Sequence, residues 1–88
     1  MRIKDGYLMR QVAGSYIVVA VSDKAADFDG VVTLNEVGAD LWRLLEKDIT
    51  KEALLAALLE SYDVDEATAK ADLDAFLEKA QTHGFLEV

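Results

Sequence analysis

The segment VTLNEVGADLWRLL, residues 32–45, contains the change of hydrophobic period that decides the fold. Its first residues are aliphatic or β-branched, which is typical of a short strand. Asn35 is a favourable helix N-cap, and the acid at Glu36 suits the positive end of the helix dipole. Leucines then recur at helical spacing. The pattern therefore predicts a strand over Gly30–Leu34 and a helix over Asn35–Lys47.

Two residues of this helix indicate how it packs. Gly38 lies inside the helix, where glycine costs about 1 kcal/mol relative to alanine. We therefore expect a strand or a second helix to approach the backbone closely at that point. Trp42 and Leu45 lie on the apolar side of the helix, and we predict that both are core residues.

Upstream of this segment, the residues indicate a β-hairpin. Tyr7–Val12 and Ser15–Val21 are rich in β-branched and aromatic residues, which favour strands. Only Ala13 and Gly14 separate them, so we predict a tight turn with a positive φ at Gly14. The polar and charged segment Ser22–Asp29 is predicted to be a loop before the third strand.

Downstream, two more helices are predicted. Thr50 caps a helix that extends to Tyr62, with leucines on its apolar face. Asp65 caps a third helix that continues to about His83 and ends before Gly84, the usual residue just past a helix. The last four residues, 85–88, alternate in polarity and are expected to fold back on the core as an extended tail.

This order of elements predicts a single α+β domain over residues 1–88: a three-stranded antiparallel sheet followed by three helices, similar to a winged helix. The third strand, Gly30–Leu34, is expected at an edge of the sheet. It contains no lysine, proline or inward charge, which are the usual protections against pairing. Three outcomes are open: a helix or the tail covers this edge, an extended peptide pairs with it, or a second copy pairs with it in a homodimer.

The charge distribution argues against nucleic-acid partners. The net charge is −8. Residues 1–22 hold three basic groups and one acid, a balance of +2, whereas residues 23–88 hold six basic and sixteen acidic groups, a balance of −10. Phosphate binding needs lysine and arginine, so a basic or amphipathic peptide is a more natural partner. The alternative is that the negative charge serves solubility alone. The alternative function, a winged-helix DNA-binding protein, would need the acidic third helix as its recognition helix.

The inventory of reactive side chains predicts that the protein is not an enzyme and needs no metal or cofactor. The chain has no cysteine and one histidine, His83, which lies at a helix end. Asp23, Asp27 and Asp29 form an acidic loop without the glycine and the final glutamate of a calcium loop. The longest apolar run, Ile17–Val21, is too short to span a bilayer. No signal-peptide pattern is present, so we predict a cytoplasmic protein.

Several motifs, taken together, resemble the PqqD-like family, named for coenzyme pyrroloquinoline quinone (PQQ) synthesis protein D. Residues 32–45 look like its signature, in which a strand leads into Asn, then Gly, then an apolar-Trp pair. Later parts of the family pattern resemble Leu58–Asp65, Asp72–Leu77 and Gly84–Leu86. The resemblance covers about Tyr7 to Leu86. One departure lies after the first helix, where many members have Asp-Gly and this chain has Lys47-Asp-Ile49.

The resemblance implies a non-catalytic recognition element for ribosomally synthesised and modified peptides. Such a module binds the leader of a precursor peptide and presents it to a modifying enzyme, often a radical S-adenosylmethionine (SAM) protein, in PQQ or other natural product biosynthesis. By position, the implied peptide-binding residues are Val31, Val32, Thr33 and Leu34 on the strand and Asp72, Ala75, Phe76 and Lys79 on the third helix. Leu77 falls on the other flank of that helix, and Asp72 is the strongest candidate.

Overall fold

The computed structural model describes residues 1–21 and 32–87 of the chain. The elements in these residues are β1 (Arg2–Ile3), β2 (Tyr7–Val12), β3 (Ser15–Ala20), β4 (Val32–Leu34), α1 (Glu36–Leu44), α2 (Lys51–Ser61), α3 (Glu66–Thr82) and β5 (Leu86–Glu87). The predicted α+β fold, a three-stranded antiparallel sheet followed by three helices, is confirmed. The predicted loop Ser22–Asp29 and the first two residues of the predicted third strand lie outside the described residues.

The sheet is built on the predicted hairpin. Its strand order is β2-β3-β4, and both pairings are antiparallel. Ala13 and Gly14 have φ values of 50° and 81°, the left-handed conformations that a two-residue type I′ turn requires. Gly14 adopts this conformation without strain, as predicted, whereas Ala13 does so despite its Cβ. The turn makes Val12 and Ser15 direct partners, which sets the register of the hairpin.

Each helix begins at its predicted capping residue. Asn35 Oδ1 accepts a hydrogen bond from Gly38 N at 2.7 Å, Thr50 Oγ1 from Ala53 N at 3.1 Å, and Asp65 Oδ1 from Thr68 N at 2.7 Å. The last bond lowers the pKa of Asp65, because the amide of Thr68 stabilises the ionised carboxylate. At the other end of α3, Gly84 lies just past the helix, as predicted, and its φ is 75°.

The first helix ends earlier than predicted, at Leu44 rather than Lys47. The N-terminal segment supplies the reason, since the carbonyl of Leu45 accepts a hydrogen bond from Ile3 N at 2.8 Å. The amide of Ile49, which would continue the helix toward that carbonyl, instead donates to the carbonyl of Met1 at 3.0 Å. The backbone groups are therefore satisfied by a long-range contact that the local sequence does not reveal.

The C-terminal tail folds back, but its partner was not predicted. β5 pairs with β1, with Arg2 opposite Glu87 and Ile3 opposite Leu86. Arg2 also forms an ion pair with Glu87 at 3.3 Å. A strand of two residues has no periodicity to detect, so β1 is not predictable from the local sequence.

One hydrophobic core joins the sheet to the helices. Trp42 and Leu45 are 2% and 0% exposed, which confirms both as core residues. The Trp42 ring meets the Phe85 ring edge-on, with 5.5 Å between centroids. At Gly38, an added Cβ would lie 3.4 Å from Leu34 Cβ and 3.5 Å from Phe76 Cδ2. The expected close approach at this glycine is therefore real, and both a strand and a second helix contribute to it.

Candidate functional site

β4 is an edge strand of the sheet. Within the described residues it pairs with β3 alone, because the tail pairs with β1 instead. The tail therefore does not cover this edge. Helix α3 lies beside β4 across an open cleft rather than sealing it.

The direction of the backbone groups in β4 follows from the hairpin. In a two-residue hairpin the residues flanking the turn exchange both backbone hydrogen bonds, so Ser15 faces β2. Because the direction alternates along a strand, Tyr16 and Val18 face β4, where they oppose Leu34 and Val32. The backbone groups of Val32 and Leu34 therefore point toward β3.

The backbone N–H and C=O of Thr33 therefore point away from the sheet. A side-chain contact agrees with this direction, because Lys79 Nζ on α3 donates a hydrogen bond to the Thr33 carbonyl at 3.1 Å. The four strand residues predicted for the site therefore do not all present their backbone to a partner. Within the described part of the strand, Thr33 alone offers both groups to a partner.

A cleft of about 460 Å³ separates this edge from α3 and from the start of α1. Its lining comprises Thr33, Leu34, Asn35, Val37, Gly38, Asp72, Ala75, Phe76 and Lys79. The four residues from α3 have the spacing i, i+3, i+4 and i+7, which places them on one face of a helix. Phe76, 9% exposed, joins the cleft to the hydrophobic core.

The structure thus brings together six of the eight residues predicted for the site: Thr33, Leu34, Asp72, Ala75, Phe76 and Lys79. Val32 does not line the cleft, and its side chain, 7% exposed, belongs to the core. Val31 lies outside the described residues. Leu77 is half-buried and packs against the core away from the cleft, so the flank of α3 that carries Asp72 faces β4.

Three lining residues were absent from the predicted set: Asn35, Val37 and Gly38. They form the end of the cleft where β4 leads into α1. The sequence carries a signal for Asn35, because its position predicts the cap of α1 at the end of a strand. A residue that ends a strand and caps a helix necessarily lies at the junction of the two elements.

The two ends of the cleft carry opposite charges. Asp72 and Lys79 are exposed and are seven residues apart on α3, a rise of about 10.5 Å along the helix. Ala75 and Phe76 lie between them. The charge near Asp72 is not neutralised by an ion pair with any of the described residues, whereas the neighbouring Asp74 pairs with Lys51 at 2.6 Å and ties α3 to α2.

Beside the cleft, a polar chain of contacts joins the first two helices to the sheet. The Tyr62 hydroxyl, at the end of α2, donates a hydrogen bond to Asp40 on α1. Asp40 also pairs with Arg43 at 2.9 Å, and the Arg43 guanidinium lies 5.4 Å from the centre of the Tyr16 ring. The hydrogen bond to Asp40 raises the pKa of Tyr62 to about 12, because that carboxylate disfavours the phenolate.

The described residues do not assemble a cluster of metal ligands. No group of three or more His, Asp or Glu side chains among them could hold a metal ion. Asp65 serves as a helix cap, and the ring of His83 stacks on Phe85 with 5.4 Å between centroids. The acidic segment with Asp23, Asp27 and Asp29 lies outside the described residues. Over the parts of the chain that the structure covers, no helix has the length and apolarity needed to cross a membrane.

Comparisons with known proteins agree with this arrangement. The family model described as Coenzyme PQQ synthesis protein D (PqqD) matches residues 16–86, which include β3 except its first residue, β4 and all three helices. Among solved structures, the chain is similar to that of "TbiB1 in Complex with the TbiA(beta) Leader Peptide". The TM-score is 0.73 at 23% sequence identity, and the match covers 99% of this chain and 100% of the other. No curated protein matches the sequence significantly.

Proposed function

Because the chain belongs to the Coenzyme PQQ synthesis protein D (PqqD) family, we propose that it is a non-catalytic module that binds the leader of a ribosomally synthesised precursor peptide. An extended segment of the leader adds to the edge of β4, and its side chains enter the cleft between β4 and α3. The observation that carries this proposal is the outward-facing backbone of Thr33 beside an open cleft with an apolar middle.

The backbone groups that β4 presents indicate how the binding free energy is divided between strand hydrogen bonds and side-chain contacts. A strand hydrogen bond contributes about 1 kcal/mol net, and Thr33 offers one donor and one acceptor. Backbone hydrogen bonds also do not distinguish one peptide sequence from another. We therefore assign most of the affinity to apolar leader side chains that pack on Phe76 and Ala75. A dissociation constant near micromolar, about −8 kcal/mol, is expected for such an interface.

The second part of the proposal is presentation to a modifying enzyme in the cytoplasm, where ribosomal peptides are made. TbiB1, a chain with the same fold, was solved in complex with a leader peptide, which supports leader binding as the basis of that role. A radical SAM enzyme is the partner that the resemblance in sequence favours. Binding along β4 leaves the opposite side of the sheet and α2 available to such an enzyme.

DNA binding is the weaker alternative on this structure. The third helix would have to enter the major groove, yet its exposed side chains include Asp72, Asp74 and Glu78. Carboxylates on that surface would repel phosphates, whose neutralisation by lysine and arginine supplies most DNA affinity. Peptide recognition therefore accounts for the charge of α3 better than nucleic-acid recognition does.

The proposal is tested with a peptide selected on the purified protein from a random library displayed on phage. In an NMR titration, we expect the largest shifts at β4 and along the Asp72–Lys79 face of α3. Shifts confined to β2 and β3, or to α2, would contradict the placement. If the selection enriches no peptide above background, the proposed function itself fails.

Two proline variants sharpen the test. In Thr33→Pro the lost N–H faces outward, so the domain should fold while affinity for the selected peptide falls at least tenfold. In Val32→Pro the lost N–H faces β3, so the sheet itself should be destabilised. Circular dichroism and thermal unfolding check both variants. A folded Thr33→Pro protein with unchanged affinity would show that strand addition to β4 is not the binding mode.

A further inference from the structure

Lys79 occupies the hydrogen-bonding position that an added strand would need. Its ammonium donates to the Thr33 carbonyl at 3.1 Å from a helix 46 residues away in sequence. That carbonyl faces outward, so an N–H from a peptide paired with β4 would compete with the ammonium for the space in front of it. In the unbound protein the edge is therefore closed at this point by a charged side chain.

This contact supplies the protection that the strand itself lacks. Natural sheets commonly guard an edge with lysine, because an ammonium group cannot be buried cheaply in a new strand pair. The residues of β4 contain no such guard, whereas α3 brings one to the strand. Lys79 therefore disfavours pairing with any extended chain that has no group to receive its charge.

Resting on the proposed function, we propose that Lys79 is a specificity-determining latch, opened by a leader peptide that carries an acidic side chain next to the residue paired with Thr33, on the face of the added strand that is directed toward α3. When the peptide N–H replaces the ammonium on the Thr33 carbonyl, the displaced Lys79 pairs with that carboxylate. A leader without the acid must leave the ammonium unpaired at the rim of a newly covered cleft. Backbone pairing alone does not distinguish one peptide sequence from another, whereas the latch makes it selective for a peptide with an acidic side chain.

Asp72 at the other end of the cleft makes the recognition directional. α3 runs antiparallel to β4 along the cleft, since Lys79 contacts Thr33 while Asp72 lies at the end formed by Val37. A peptide that pairs antiparallel to β4 passes Asp72 first and Lys79 second. It therefore carries a basic residue on the amino-terminal side of its acidic residue. Side chains on one face of a strand recur every second residue, so the separation of about 10.5 Å corresponds to two or four positions.

The latch is tested with the phage-displayed random library, selected separately on the wild-type protein, Lys79→Met and Lys79→Glu. We expect an acidic residue at one fixed position in peptides from the wild type, no charge preference there with Lys79→Met, and a basic residue with Lys79→Glu. Lys70→Met is the matched control, because it removes the same charge from an exposed position on α3 outside the cleft. It should preserve the acidic preference.

Affinities for one selected peptide and its Glu-to-Gln analogue provide the decisive measurement. The substitution should weaken binding to the wild type by about fivefold, the upper range for an exposed charge pair. Lys79→Met should bind the Gln analogue at least as tightly as the wild type does, because the Thr33 carbonyl is then free. If Lys79→Met loses affinity for both peptides equally, Lys79 has a merely structural role and the latch is overturned. Failure to enrich any peptide would instead overturn the proposed function.

Discussion

Trp42 illustrates how one residue both identifies the core and supports it. The side chain is 2% exposed, contacts the ring of Phe85 and lies within the cluster that joins sheet and helices. We expect Trp42→Ala to lower the free energy of unfolding by about 3–5 kcal/mol, because the truncation leaves a large cavity. Such a loss is comparable to the whole stability of many small domains. Urea denaturation followed by circular dichroism measures it.

Leu59→Ala is the control for this substitution. Leu59 is 37% exposed on α2, so its truncation should change the unfolding free energy by no more than about 0.5 kcal/mol. Equal unfolding midpoints for Trp42→Ala and the wild type would contradict the assignment of Trp42 to the core.

Individual residues were predictable where their role is local. Asn35, Thr50 and Asp65 each accept the amide of the residue three positions later, a contact set by sequence spacing alone. Gly38 was predictable as a close approach but not as part of the cleft, because its neighbours Leu34 and Phe76 come from different elements. Lys79 shows most clearly which contacts cannot be predicted from the sequence. Its helical position follows from the sequence, whereas its bond to the Thr33 carbonyl depends on the packing of α3 beside β4.

At the scale of elements, the hydrogen bond from Tyr62 to Asp40 ties the end of α2 to α1 beside the cleft. We expect Tyr62→Phe to destabilise the domain by about 1 kcal/mol at neutral pH, since it removes one hydrogen bond. The raised pKa, about 12 against an ordinary 10.0, makes this contribution dependent on pH. It is fully present below pH 10.0 and is lost as the pH rises through about 12.

Urea denaturation of the wild type and Tyr62→Phe across this range measures the effect. The difference in unfolding free energy should be constant at neutral pH and should close between about pH 10 and 12. NMR titration of the Tyr62 ring carbon beside the hydroxyl gives the pKa independently. A difference that persists unchanged through pH 12 would show that the hydroxyl does not stabilise the contact with Asp40.

The elements themselves were predictable in proportion to their length and periodicity. The hairpin, β4 and all three helices have local signals, and their order alone predicts an edge strand beside helices. β1 and β5 contain two residues each and form only because the two ends of the chain meet. The same long-range pairing ends α1 early, through the bond from Ile3 to the Leu45 carbonyl. Contacts between distant segments therefore account for the differences between the predicted and the observed elements.

For the whole molecule, the balance of −10 over residues 23–88 creates a field that acts on a peptide before it reaches the cleft. That segment includes β4 and all three helices, so the cleft lies within the acidic part of the chain. A peptide with a net positive charge should associate faster than a neutral one of the same apolar sequence. This general attraction is compatible with one acidic residue opposite Lys79, because the latch acts at contact distance whereas the field acts over the Debye length.

We therefore expect the affinity for a selected basic peptide to fall several-fold as salt rises from about 0.05 M to about 0.5 M, because the Debye length contracts to a few ångströms. Stopped-flow measurements should place most of the change in the association rate, the step that long-range attraction accelerates. An analogue with its basic residues replaced by glutamine, except the one facing Asp72, is the matched control and should respond much less. If both peptides weaken equally with salt, the acidic surface does not steer the leader, and its charge serves solubility alone.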